Sequence, residues 1–226
     1  MNILLICDDF HHPGQIPIGG CAPLKEKGFT FDIITNANEF KPDILKNYPA
    51  VLLCKCDEVS AVDKTPWKTE MVQQAFIDYV EGGGGLLAIH TATVAGKQTE
   101  TLDKLIGCKF IFHPVSCPVT VQAIKPHPVT ECVGMFIETD EHYRLGILSD
   151  DVDIIAASYS PAQGSPEKYE EDNYSNTPAW ISPAALVRTQ GKGRVCVLTP
   201  GHLLPVWHNP DFQQMLMNAL NWCGKS

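Results

Sequence analysis

The sequence predicts a three-layer α/β fold, a mostly parallel sheet with helices on both faces. Three observations carry that expectation. Residues 3–7, 50–54 and 86–90 are short apolar runs without polar alternation, the pattern of strands buried on both faces. Segments with helical spacing lie between them, and a strand–helix–strand order demands parallel pairing with helices packed over the sheet. At 226 residues and 44% apolar content, the chain suits one domain over 1–226 with a substantial core, and no linker or internal repeat divides it.

Each element follows from its residues. The run 3–7 ends at Asp8-Asp9, and 29–35 and 50–54 read as the second and third strands, with short helical segments near 18–27 and 42–47. Residues 67–80 form the clearest internal helix. Met71, Val72, Ala75, Phe76, Tyr79 and Val80 share a face, Thr65-Pro66 supplies a cap and a first-turn proline, and Gly82 a stop. Four glycines, 82–85, lead into the strand 86–90, which ends at His90. A short helix follows at 101–106, and 108–124 is strand-like but broken by Pro114 and Pro118. Residues 135–139 and 152–159 are further strands, and 160–177, rich in Ser, Pro, Glu, Asn and Gly, read as a long loop. Strands at 184–189 and 194–199 flank Gly191-Lys192-Gly193 as a hairpin. The last helix spans 210–223, capped by Asn209, stopped by Gly224, with Phe212, Met215, Leu216, Ala219, Leu220 and Cys223 on one stripe.

Charge and cysteine usage narrow the function classes. Seventeen Lys+Arg against 26 Asp+Glu give a net charge of −9, which repels nucleic-acid backbones and anionic membranes. Nine cysteines, an odd number partly buried in apolar runs, fit a reducing cytoplasm better than a disulfide framework. Cys54 and Cys56 form a C-x-C pair with no second pair at zinc-site spacing. The apolar N-terminus lacks the basic region and length of a signal peptide, and no run approaches the roughly 20 residues of a membrane span.

In parallel sheets, ligands bind beyond the carboxyl ends of the strands. Of eight histidines, His11 and His12 follow the first strand, His90 ends the fourth, His113 follows residues 109–112, His142 lies in the segment 139–143, and His202 follows the last strand. His12, His90 and His202 can face one crevice. Imidazoles there either ligate a divalent metal or shuttle protons, and Asp140 or Glu141 completes either arrangement. Period-2 alternation puts Asp140 and His142 on one face and Glu141 on the other, without saying which faces the crevice. His127 and His208, beside prolines, are weaker candidates.

An ordered set of short motifs then points to a family. The segment 82–92 reads G-G-G-G-L-L-A-I-H-T-A. With it come Phe10-His11-His12, His113-Pro114, His127-Pro128-Val129-Thr130, Thr139-Asp140-Glu141-His142-Tyr143, Pro178-Ala179-Trp180, Gly193-Arg194-Val195, Gly201-His202, and Pro210 with Phe212. In this order, over nearly the whole chain, they resemble the trehalose-utilisation, or ThuA-like, family. The resemblance implies the class I glutamine amidotransferase-like, flavodoxin-like architecture. It also implies that His90 stands where amidotransferases carry the cysteine of a G-x-C-x-G elbow. A histidine forms no glutamyl thioester, and His202 is followed by Leu203-Leu204 rather than x-Glu, so glutamine hydrolysis is not expected.

The resemblance implies chemistry on trehalose, a related disaccharide or a keto sugar. His90, His202 and Glu141 are the expected catalytic residues. His12, Asp140, His142, Tyr143 and Trp180 are the expected substrate contacts, with Trp207 a further stacking candidate. A divalent metal, zinc first, is expected on His12, His90 and His202, with no nucleotide cofactor; the expected partners are a small-molecule sugar and a second copy of the chain in a homodimer. The alternatives are a non-catalytic sugar-binding or regulatory protein on the same scaffold, or a thiol enzyme using Cys7, Cys21 or Cys117.

Overall fold

The computed structural model describes residues 1–160 and 181–225, and its centre is a nine-stranded sheet. The strands are β1 (Asn2–Cys7), β2 (Thr30–Ile34), β3 (Ala50–Cys54), β4 (Gly85–Ile89), β5 (Cys108–Phe112), β6 (Cys117–Ala123), β7 (Phe136–Asp140), β8 (Arg144–Ile147), β9 (Asp153–Tyr159), β10 (Ile181–Gln190) and β11 (Gly193–Leu198). Their order is β2-β1-β3-β4-β11-β10-β9-β6-β7. Strands β2, β1, β3, β4 and β11 pair in parallel, and β10, β9, β6 and β7 continue the sheet antiparallel. Strands β5 and β8 form a separate two-stranded ribbon.

Alternation along β1 builds both hydrophobic layers. Ile3, Leu5 and Cys7 face α4 (Leu204–His208) and α5 (Pro210–Cys223), where Trp207, Phe212, Leu216 and Leu220 are buried. Leu4 and Ile6 face α2 (Glu70–Glu81) and α3 (Glu100–Ile106), where Phe76, Leu102 and Leu105 are buried. A further helix, α1 (Gln15–Cys21), follows the first strand and packs on α4. The glycine run before β4 lets α5 close on the sheet: a Cβ on Gly85 would sit 2.2 Å from the Cys223 carbonyl oxygen.

The structure shifts several expected boundaries. Helix α2 starts at Glu70, because Thr69 rather than Thr65 supplies the cap, accepting from Val72 N–H. Trp67 lies before the helix, its indole N–H donating to the Cys56 carbonyl and its backbone N–H to Asp57. Met71, placed on the buried stripe, is 69% exposed, and Val72, Gln73, Phe76 and Val80 face inward. The region 108–124 divides between the ribbon and the main sheet. Pro118 is tolerated in β6 because pairing with β9 begins only at Thr120. Strand β10 extends from Ile181, with its register shifted around Pro183–Ala185. The expected loop 160–177 lies, after Ser160, outside the described residues, as does Trp180. No helix among the described residues is long and apolar enough to cross a membrane.

The final helix, α5, matches its expected bounds. Asn209 Oδ1 accepts from Asp211 and Phe212 N–H, and its amide donates to Glu138 Oε1 at 2.9 Å, tying the helix start to β7. Asn209→Ala is expected to lower unfolding stability by about 1 kcal/mol, with Asn209→Ser retaining part of the cap through its hydroxyl oxygen, as read from urea midpoints by circular dichroism.

Candidate active site

The first strand delivers the anchor of the site. Beyond β1, Asp8 adopts φ +79°, a left-handed conformation uncommon for a residue with a side chain. Its carboxylate holds that turn, accepting from Gly14 N–H at 2.9 Å and Ala61 N–H at 3.0 Å. The buried Lys55 ammonium donates to the Asp8 and Thr35 carbonyls from below.

Asp9 follows, with no exposed surface. Its Oδ1 accepts from His11 and His12 N–H and lies 2.7 Å from His12 Nδ1. Its Oδ2 accepts from the Thr91 hydroxyl at 2.7 Å and Cys56 N–H at 3.1 Å. Burial pushes this carboxyl up, but the His12, Thr91 and Cys56 contacts outweigh it and hold Asp9 well below the usual carboxylate range. A carboxylate on Nδ1 directs Nε2 of His12 into the crevice.

His90 caps β4 at φ +51°, opening a short 3₁₀ turn over His90–Thr93. Its Nδ1 contacts the Thr199 carbonyl at 2.8 Å, which places the proton there and leaves the Nε2 lone pair facing inward, 3.3 Å from Glu141 Oε2. Burial lowers the His90 pKa to about 4, so the ring is neutral near pH 7.

His202 comes from the turn after β11. Its Nδ1 lies 3.2 Å from Glu141 Oε2 but is not aligned for hydrogen bonding, and it is buried with no hydrogen-bond partner among the described residues. Burial lowers its pKa as well. For Glu141, burial raises the pKa, but the close approach of the His90, His202 and His113 imidazoles dominates and lowers it. One donor atom each from His12, His90, Glu141 and His202 lies within 4.8 Å of the others.

The segment after β7 resolves the open question of faces. Glu141 turns to the histidines. Asp140 turns inward, accepting from Gly201 N–H at 2.8 Å and His202 N–H at 3.0 Å, so it positions the His202 turn and does not line the crevice. Burial raises the Asp140 pKa to about 7, against those backbone donors. His142 is buried against the Ser158 hydroxyl at 3.0 Å, also away from the cluster. Asp140 and His142, expected among the substrate contacts, thus lie on the face opposite Glu141. Tyr143 stacks on His90 with ring centroids 3.8 Å apart, and its hydroxyl lies 3.4 Å from His12 Nε2. Trp207 is core, its indole N–H donating to the Gly201 carbonyl.

Two residues without an assigned role also belong to the site. Asp9 organises it, and the signal was an acid three residues before a strand-end histidine. His113 Nε2 lies 3.5 Å from Glu141 Oε1, and its side chain is 34% exposed at the rim. His127 instead caps the turn at Pro128–Thr130, and His208 is an exposed residue near the Gly19 carbonyl.

Fold and site together define a class: an amidotransferase-like α/β domain whose elbow carries a histidine, inside a cluster of three imidazoles and a carboxylate. The chain belongs to the ThuA, or trehalose utilisation, family, whose model matches residues 11–223. Among solved structures it is similar to a ThuA-like protein from Bacteroides uniformis (21% identity, TM-score 0.70, covering 99% of this chain and 91% of that one). It is similar to another from Parabacteroides merdae (17%, TM-score 0.71, 100% and 90%) and to a cytoplasmic protein from Salmonella typhimurium (15%, TM-score 0.64, 99% and 99%). No curated protein matches the chain by sequence.

Two of the cysteines named as alternatives, Cys7 and Cys21, are poorly suited to thiol chemistry. Cys7 and Cys21 are buried, and burial pushes the Cys7 thiol up to about 12 and the Cys21 thiol higher still. In native protein at pH 8, a disulfide reagent such as DTNB is expected to modify the exposed Cys132 first. The seven buried thiols should react only after unfolding. Rapid modification of Cys7 or Cys21, mapped by mass spectrometry, would reopen thiol chemistry.

Proposed function

We propose that this protein is a metal-dependent enzyme acting on a sugar or keto sugar, with a divalent ion, zinc first, on His12, His90, His202 and Glu141. The observation that carries the reading is His202 Nδ1, a buried ring nitrogen that has no hydrogen-bond partner among the described residues and lies beside two further imidazoles and a carboxylate. An orphaned buried polar atom costs stability unless something binds it. Three imidazoles plus one carboxylate make a donor set suited to zinc. Asp9 on His12 and the Thr199 carbonyl on His90 supply the outer contacts that fix ligand orientation.

His12, His90, His202 and Glu141 would hold the ion, and it would supply Lewis-acid polarisation of a substrate oxygen when bound. The chain's own groups do the rest. Burial keeps the Tyr143 phenol protonated, so it can donate a hydrogen bond beside His12. Glu141 has Oε2 toward the cluster and Oε1 toward His113, which places a carboxylate and a rim imidazole where a proton can be taken up or delivered. That arrangement suits proton transfer next to a ketone. A metal-free acid–base site is the second reading, favoured by the Glu141 carboxylate reaching three imidazoles without a metal.

Elemental analysis of protein purified without a polyhistidine tag or chelator separates the two. Near-stoichiometric zinc is expected in the wild type, and loss of most of it in His90→Ala and His202→Ala. A folded wild type that neither carries zinc nor takes it up on titration sinks the metal reading. Asp9→Asn, which keeps the shape and removes the charge, is expected to weaken zinc affinity roughly 10- to 100-fold, measured by competition with a chromophoric chelator.

A further inference from the structure

The large sheet ends at β7, which among the described residues pairs with a strand, β6, on one side only. Its other edge presents backbone N–H and C=O groups to solvent. Free edges are commonly blunted by Lys, Pro or a bulge. Strand β7 has none of these: it reads Phe-Ile-Glu-Thr-Asp and runs in unbroken register with β6 from Phe136 to Asp140. Its one central charge, Glu138, is engaged by the Asn209 amide at the start of α5. The opposite edge, β2, differs. It carries at its centre the exposed Asp32 carboxylate, which accepts from the Asn2 amide and the Tyr48 hydroxyl.

The side chains along the β7 edge are apolar. Phe136 turns to the α4–α5 layer with Val119 and Val121 of β6. Alternation sends Ile137 to the other side of the sheet, with Met135 just before it. That side is open: Met135 and Ile137 are 61% and 57% exposed, and Ile124, beyond the end of β6, is 48% exposed. Single exposed apolar residues are ordinary, but three gathered beside an unpaired strand edge mark a contact surface.

An open edge is completed by an extended strand, and β7 is complementary to itself. A two-fold axis through Ile137 sets the strand antiparallel to its copy, with Ile137 opposite Ile137, Met135 opposite Thr139 and Phe136 opposite Glu138. No like charges meet in that register, whereas centring the pair on Glu138 would set carboxylate against carboxylate. We propose that two copies of this chain associate edge to edge through β7 about this axis, joining their sheets into one. Such pairing needs neither the sugar nor the metal assigned to the histidine cluster. It would also brace the strand that leads into Asp140 and Glu141.

Sedimentation equilibrium of the full chain is expected to show a dimer at micromolar concentration. Ile137→Lys should weaken association roughly hundredfold, because it removes two apolar side chains from the contact and opposes two ammonium groups. Ile137→Thr, which keeps a β-branched residue in the strand, should weaken it roughly tenfold. Ile33→Lys, on the β2 edge, should leave it unchanged, with circular dichroism reporting that each variant is folded. Two copies of net charge −9 repel, so added salt should tighten the dimer. Hydrogen exchange over 135–140 should slow as protein concentration rises, the mark of newly paired amides. A wild type that stays monomeric overturns the proposal. So does a dimer that both Ile137 variants leave intact, one that Ile33→Lys breaks, or one whose β7 amides exchange equally fast at every concentration.

Discussion

The carboxylate of Asp9 is the constraint on which the site depends. It has no exposed surface, and a buried charge of that kind is costly unless hydrogen bonds replace its water. Here five donors do so: the His11 and His12 amides, the His12 ring, the Thr91 hydroxyl and the Cys56 amide. They come from the segments beyond β1, β3 and β4. One ionised group therefore draws three neighbouring strand ends together and sets the rotation of His12 at the same time. Removing the charge while keeping the shape would leave donors from all three segments short of an acceptor.

Conformational strain gathers at the same place. Asp8 and His90 both have positive φ, and each is held by specific partners: Gly14, Ala61 and Lys55 for the first, the Thr199 carbonyl and the Thr93 hydroxyl for the second. Left-handed residues with side chains persist only where their surroundings overdetermine them. At β4 the effect is to project a side chain sharply from the end of a buried strand. With histidine at that turn, the projected group is a neutral nitrogen base.

Much of this was legible in the sequence where one physical signal dominated. Helix α5 combines an asparagine cap, a first-turn proline, an unbroken apolar stripe and a terminal glycine, and all four agree. Helix α2 was less legible because Thr65-Pro66 and Thr69 both offer a cap, and the choice is made by Asp57 and Cys56, which engage Trp67 from a distant segment. The antiparallel half was hardest: β5 and β6 are nearly continuous in sequence but belong to different sheets, and only tertiary pairing separates them. In the site, strand-end position singled out His12, His90 and His202. It did not reveal Asp9, since an acid after a strand looks the same whether it is solvated or buried. Alternation separated Glu141 from Asp140 and His142, but the inward direction needed the three-dimensional fold.

That last segment shows why the antiparallel half is more than an extension of the sheet. Strand β7 is the outermost strand, yet the three residues at its end serve three surfaces. Asp140 holds the backbone of Gly201 and His202, Glu141 enters the imidazole cluster, and His142 anchors to Ser158 on β9. The parallel strands contribute the nitrogen donors, and the antiparallel edge contributes the carboxylate and fixes one of the donor turns. Neither half contains the complete donor set. The cluster assembles only when the two are joined through β10 and β11, so formation of the site is coupled to completion of the whole sheet, and a folded fragment of either half would lack it.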